Sequence, residues 1–215
     1  MKEADTYGFD GFNLDFESLK SSAGPHYVQF IREMSVSCRQ KGLVLSVDDY
    51  VPAVYSAFYN RKEQGIVADY VIVMGYDEHF AGGDAGSVAS ISYVENGITG
   101  TLKEVPKEKL INKCSLLYKS VDGKRRKDYI KGLWNDSCQK MVDENNVELT
   151  WQDKVGQYYG EIENENGVQK IWMEEAKSLG LKKRPGQSSM TWRELPAGSW
   201  DLRQRNIWTI MDEVK

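Results

Sequence analysis

In Gly42-Leu43-Val44-Leu45-Ser46-Val47-Asp48, apolar and β-branched side chains fall on both faces of an extended segment. That is the pattern of a strand covered on both sides, as in a parallel sheet. Upstream, Pro25 marks a helix start and Gly42 lies beyond its end, with Tyr27, Phe30, Ile31, Met34 and Cys38 repeating between them at the spacing of one helix face. Further upstream, residues 7–16 read as a strand. Downstream, a helical stretch over residues 53–64 ends at Gly65, and a second doubly apolar strand covers 68–76. Residues 88–97 read as helix and 109–118 as a fourth strand. Strands alternating with helices imply β-α-β units with right-handed crossovers, an α/β fold.

The alternation breaks after residue 133. Residues 134–173 are polar, with two short strand-like runs, 155–162 and 168–173, joined through Asn166-Gly167, a hairpin signal. We read 134–173 as an α+β insertion between a parent fold over 1–133 and its return over 174–215. The return begins with a short helix over 174–182 and ends in a helix carrying Ile207, Ile210, Met211 and Val214 on one face.

Composition removes several function classes. The chain has 215 residues and a net charge of −4, from 28 Lys and Arg against 32 Asp and Glu, so no basic footprint for nucleic acid or an anionic membrane is present. No apolar run is long enough to span a bilayer. Cys38, Cys114 and Cys138 are widely spaced and form no metal or disulfide framework, which reads as buried thiols. His26 and His79 stand in no HExxH or triad setting, and no glycine-rich phosphate loop occurs. Neither a metal nor a cofactor is expected.

The residues with chemical content lie in Asp10-Gly11-Phe12-Asn13-Leu14-Asp15-Phe16-Glu17. Strand alternation puts Asn13, Asp15 and Glu17 on one face and Phe12, Leu14 and Phe16 on the other. Under a helix-covered apolar face, the polar row must enter the other covered side, where a carboxylate is costly without a task. Same-face neighbours are roughly 7 Å apart along a strand, so Asp15 can reach both Asn13 and Glu17. Glu17 comes last, at the end where parallel sheets meet ligands. A partly desolvated carboxyl beside another would hold its proton and serve as a general acid. The competing reading is an amphipathic edge strand with its acids in water. A calcium site lacks an EF-hand ligand loop.

Asp10 to Glu17 resembles the DGxDxDxE signature on the fourth barrel strand of glycoside hydrolase family 18, with Asn13 in place of an Asp. Val73-Met74-Gly75-Tyr76-Asp77 is similar to the MxYD motif of the sixth strand. Residues 86–97 and 103–111 resemble the branch of spore-cortex and peptidoglycan N-acetylglucosaminidases, and so do 155–163 and 170–182. The resemblance implies a (β/α)8 barrel and a substrate containing N-acetylglucosamine. It implies that Glu17 protonates the glycosidic oxygen while the substrate's 2-acetamido group attacks, the substrate-assisted exception among glycosidases. By the same resemblance Asp15 orients the acetamido nitrogen and stabilises the developing positive charge, and Asn13 orients Asp15. Tyr76 donates to the acetamido oxygen. Asp10, Met74 and Asp77 belong to the sugar site, and Trp200, with Trp192 as the alternative, forms its floor.

Two departures qualify the resemblance. Strands one to three have no room before residue 10, so the expectation is a partial (β/α)8 TIM barrel, about strands four to eight, with two unpaired edges able to self-associate. Residues 112–119 also lack the glycine, proline and aromatic pattern of a seventh strand. The leading expectation is a hydrolase of β-1,4-linked N-acetylglucosamine in peptidoglycan or chitin. The alternatives are a sugar-binding remnant without activity and a structural fragment that needs a partner chain.

Overall fold

The computed structural model describes residues 1–80, 83–113, 118–122, 129–133, 135–165 and 167–182. They divide into two compact units, Met1–Gly75 with Asn96–Lys113, and Tyr76–Glu95 with the described residues from 118 to 182.

The first unit is built on a four-stranded parallel sheet, β1 (Gly11–Leu14), β2 (Val44–Tyr50), β3 (Tyr70–Met74) and β4 (Leu110–Lys113), in that spatial order. Helix α1 (Lys2–Tyr7) precedes it and stops at Gly8, whose φ of 69° is left-handed. Tyr7 therefore ends a helix and does not open a strand. Helix α2 (Gly24–Lys41) follows β1, with Pro25 in its first turn and Gly42 closing it at φ 68°. Leu14, Leu45 and Val47 of the sheet form one core with Tyr27, Ile31 and Cys38 of α2 and with Tyr59 and Ala68. The whole cluster is buried.

The expected helix over 53–64 is two elements. A 3-10 turn covers Val54–Tyr59, and α3 (Arg61–Val67) starts afresh after Asn60. Asn60 sits at φ 57° and its side chain accepts the Glu63 N–H at 3.2 Å. A left-handed residue cannot continue a right-handed helix, and an Asn there is a strong cap. Helix α4 (Ile91–Thr101) begins at Ser90, whose hydroxyl accepts the Tyr93 N–H. Its Gly97 lies against Val51 and Val73, where a Cβ would come within 3.0 Å of the Val51 side chain.

The second unit contains a five-stranded antiparallel sheet ordered β6-β5-β9-β8-β7, from β5 (Tyr118–Asp122), β6 (Tyr129–Leu133), β7 (Thr150–Gln152), β8 (Gln157–Asn164) and β9 (Gly167–Met173). Helix α5 (Asn135–Glu144) lies between β6 and β7 in sequence, and α6 (Ala176–Lys182) follows β9. The expected hairpin is present, with Asn164 paired to Gly167 and Gly167 at φ 120°. The strand expected over 109–118 is not continuous. The parallel strand ends at Lys113, and Tyr118 opens a strand of the antiparallel sheet, so that sheet begins ahead of residue 134. Cys38 and Cys138 are buried free thiols, as expected of them.

Candidate active site

Parallel register sets paired residues on the same face. Asn13 pairs with Ser46, Tyr50 with Met74, and Met74 with Lys113. Because Leu14, Leu45 and Val47 point toward α2, alternation turns Asn13, Ser46, Asp48, Tyr50, Met74 and Lys113 to the opposite face. Asp15 and Glu17 continue that row past the C-terminal end of β1, the end at which α/β sheets take ligands. The sheet has thus gathered a polar set at one edge from strands far apart in sequence.

The loop after β1 is tied down by two tyrosines. The Tyr50 hydroxyl accepts the Ser18 N–H at 2.9 Å and donates to Glu17 Oε2 at 3.4 Å. The Tyr59 hydroxyl donates to the Phe16 carbonyl at 3.0 Å and accepts the Leu19 N–H at 3.4 Å. Their rings meet edge to face at 5.6 Å. Ser18 takes φ 56°, a tight turn that these hydrogen bonds hold in place. Tyr59 is 2% exposed, and burial pushes its hydroxyl up to about 12.

Beside this loop, Ser46 Oγ donates to Asn13 Oδ1 at 2.7 Å. Asp48 is buried and its Oδ2 lies 3.2 Å from Lys113 Nζ. Burial raises its carboxyl above the ordinary range. Lys113 and the Asn13 amide oppose that rise, and the Asp15 charge adds to it. On the helix side of the same strand, Asp49 is buried 3.5 Å from Arg61 Nε, and burial pushes it up to about 7.

The structure brings Asn13, Asp15, Glu17 and Met74 to one face of one sheet, with Met74 buried and Asp10 exposed just before β1. It does not enclose the row. Asn13, Asp15 and Glu17 are all exposed, so the expected desolvation of Glu17 is not met. Among the described residues β1 ends the parallel sheet, and the side toward α2 takes the apolar Phe12, Leu14 and Phe16 rather than the polar row. Tyr76 and Asp77 belong to the second unit, the former half-buried and the latter exposed at φ 61°. Next to them, Glu78 accepts the Ser90 N–H at 2.7 Å and the Ser90 hydroxyl at 2.9 Å, anchoring the start of α4. His79 Nδ1 lies 2.8 Å from the Ser87 carbonyl, and a Cβ on Gly86 would meet its ring at 2.3 Å. Trp192, Trp200 and the final helix lie outside the described residues.

Sequence reasoning missed Ser46, Asp48, Tyr50 and Tyr59. The first three were readable as one face of residues 46–50, once that strand is registered against β1.

The pattern of glycosyl hydrolases family 18 matches residues 1–184 of the chain. This protein belongs to glycosyl hydrolase family 18. Within family 18 it is 24% identical over 196 residues to the cortical fragment-lytic enzyme of Bacillus subtilis, covering 85% of this chain and 44% of that protein. It is 24% identical over 188 residues to the uncharacterized glycosylase YvbX of the same organism, covering 83% and 54%. The chain thus spans about half the length of these curated relatives. Its fold is similar to the crystal structure of a chitinase from Chromobacterium violaceum, with a TM-score of 0.78, 23% identity, and coverage of 84% of this chain and 58% of that one. The α/β architecture of family 18 is therefore the architecture of this chain.

Proposed function

We propose that this chain carries the acid-bearing part of a glycosidase that cuts β-1,4-linked N-acetylglucosamine in peptidoglycan or chitin. Its relatives include a cortical fragment-lytic enzyme, and its structural neighbours include a chitinase. The observation that carries the reading is the fixed position of Glu17. Its carboxyl meets a tyrosine hydroxyl that also holds the next backbone N–H, at the C-terminal end of a parallel strand whose same face bears Asn13 and Asp15.

In this reading Glu17 gives its proton to the glycosidic oxygen as the bond to the anomeric carbon breaks. The substrate's acetamido oxygen attacks that carbon from the opposite face, and water later opens the resulting oxazolinium with Glu17 taking a proton back. The anomeric configuration is retained. Asp15, as a carboxylate, stabilises the positive charge that develops on the acetamido nitrogen. Tyr76, Asp77, Asp10, Met74 and Trp200 complete the sugar site in the same proposal. Strands β1 to β4 then correspond to strands four to seven of the barrel, with the antiparallel unit as its insertion.

Purified chain is given a chromogenic N-acetylglucosamine oligomer and, separately, peptidoglycan. Glu17→Gln is expected to lower turnover at least about 10²-fold, the usual worth of a positioned acid. Unchanged turnover in that variant refutes the assignment. A second reading, a sugar-binding remnant, is favoured by the exposure of Asp15 and Glu17. It predicts binding without turnover in both proteins.

A further inference from the structure

We infer that Asp48 is a positioning residue for Asp15, supplying from the neighbouring strand the second carboxyl group that Asn13 cannot provide. This inference rests on the glycosidase reading, in which Asp15 faces the developing positive charge.

The geometry is set by the β1 and β2 register, which runs from Gly11 opposite Val44 to Leu14 opposite Val47. Continued one residue past the end of β1, that register sets Asp15 opposite Asp48 on the face turned from α2, and the Asp15 charge acts on the Asp48 carboxyl. Asp15 is exposed, whereas Asp48 is only 2% exposed. Its Oδ2 lies 3.2 Å from Lys113 Nζ, and its Oδ1 makes no hydrogen bond among the described residues. Asn13 cannot substitute for it. The Asn13 carbonyl oxygen is engaged by Ser46, and an amide N–H cannot be shared with a carboxylate as an acid proton can.

Two adjacent carboxylates ionise together only at a cost, and the more buried one keeps its proton. The groups acting on Asp48 are few. Asn13 comes from β1 and Asp15 from just beyond it, Lys113 comes from β4, and Tyr27 of α2 interacts with it electrostatically, while β3 offers the uncharged Ile72 in register. Burial and Asp15 together outweigh Lys113 and Asn13, and the net direction is upward. Protonated Oδ1 can then donate an O–H hydrogen bond to the Asp15 carboxylate. That bond holds the Asp15 carboxylate in one rotamer, ready for the cation it is to stabilise. In the signature this sequence resembles, the residue at position 13 is an Asp. Here the carboxyl group comes from an adjacent strand on the same face.

The full chain carries two independent tests. In the ligand-free protein, carboxyl 13C NMR is expected to place the Asp48 midpoint above the ordinary Asp range, and Asp15→Asn is expected to lower it. An ordinary midpoint, or one that Asp15→Asn leaves in place, overturns the inference. In turnover assays, Asp48→Asn, which is nearly isosteric, is expected to lower kcat on the order of 10²-fold with KM within about threefold. Adding Asn13→Asp to Asp48→Asn is expected to restore kcat to within about tenfold of the original, a rescue that a merely structural role would not give. Full activity in Asp48→Asn, or no rescue by Asn13→Asp, overturns it. If Glu17→Gln leaves turnover untouched, the glycosidase reading has failed, and the NMR titration still decides whether Asp48 and Asp15 share a proton.

Discussion

Glu17 is held by a tyrosine hydroxyl that also takes up the amide of the next residue, so one phenol fixes both the acid and the turn that presents it. Tyr50→Phe removes both contacts while keeping the ring against Tyr59. Since the Ser18 amide can turn to water, stability should fall by only about 0.5–1.5 kcal/mol in urea unfolding. Turnover should fall about tenfold, because a displaced acid misses its proton target. Gly11 is constrained differently, since a Cβ there would sit 2.3 Å from the Val44 carbonyl oxygen, a backbone atom. Gly11→Ala should cost about 1–3 kcal/mol by chemical denaturation, as β1 must move off β2. At this scale the polar row was legible from alternation alone. Its exposure was not, because that depends on which faces of the sheet are covered, and the hydrogen bonds of Tyr50 and Tyr59 were not, because their partners lie on a loop distant in sequence.

Helix α2 was readable from both ends, because Pro25 and Gly42 are residues whose backbone preferences suit a first turn and a left-handed stop. The stretch over residues 53–64 reads as one helix ending at Gly65, because nothing in the sequence alone gives the backbone conformation of Asn60. The structure breaks there, with Asn60 serving at once as left-handed stop and as cap for α3. Asn60→Ala should therefore cost about 1–2 kcal/mol, losing the bond to the Glu63 amide and forcing an alanine into φ 57°. Thermal unfolding of the two proteins checks this. Asn60→Gly is expected to recover the backbone part of the loss. Gly86 is legible only in three dimensions, where the ring of His79 fills the space that a side chain would need.

Across the molecule, the parallel sheet could be read from doubly apolar strands, and the hairpin from Asn166-Gly167. The extra strands of the antiparallel unit could not, since β5 joins that sheet through β9, far along the chain, and β6 joins it through β5. Each unit also holds a buried group that resists losing its proton. Burial pushes the Cys138 thiol from 9.0 up to about 12, and the Tyr59 hydroxyl from 10.0 up to about 12. A raised folded value means the folded state keeps a proton that the unfolded chain gives up. Stability from these groups is therefore whole below pH 9 and drains away between about pH 9 and 12. Urea midpoints measured across that window should fall steadily, while the midpoints from pH 7 to 9 should be unaffected by either group.

Strand β1 leaves one side of its backbone without a ladder partner among the described residues, and the side chains around it include Asp10, Asp15 and Glu17, all exposed. Negative charges beside such a border repel an approaching second copy bearing the same charges. Their reach is the thickness of the ionic atmosphere, about 10 Å at 0.1 M and about 3 Å at 1 M. Concentrated stocks should therefore stay clear in dilute buffer and scatter light progressively as sodium chloride is added, and the onset should move to lower salt when the acids are neutralised in Asp15→Asn/Glu17→Gln.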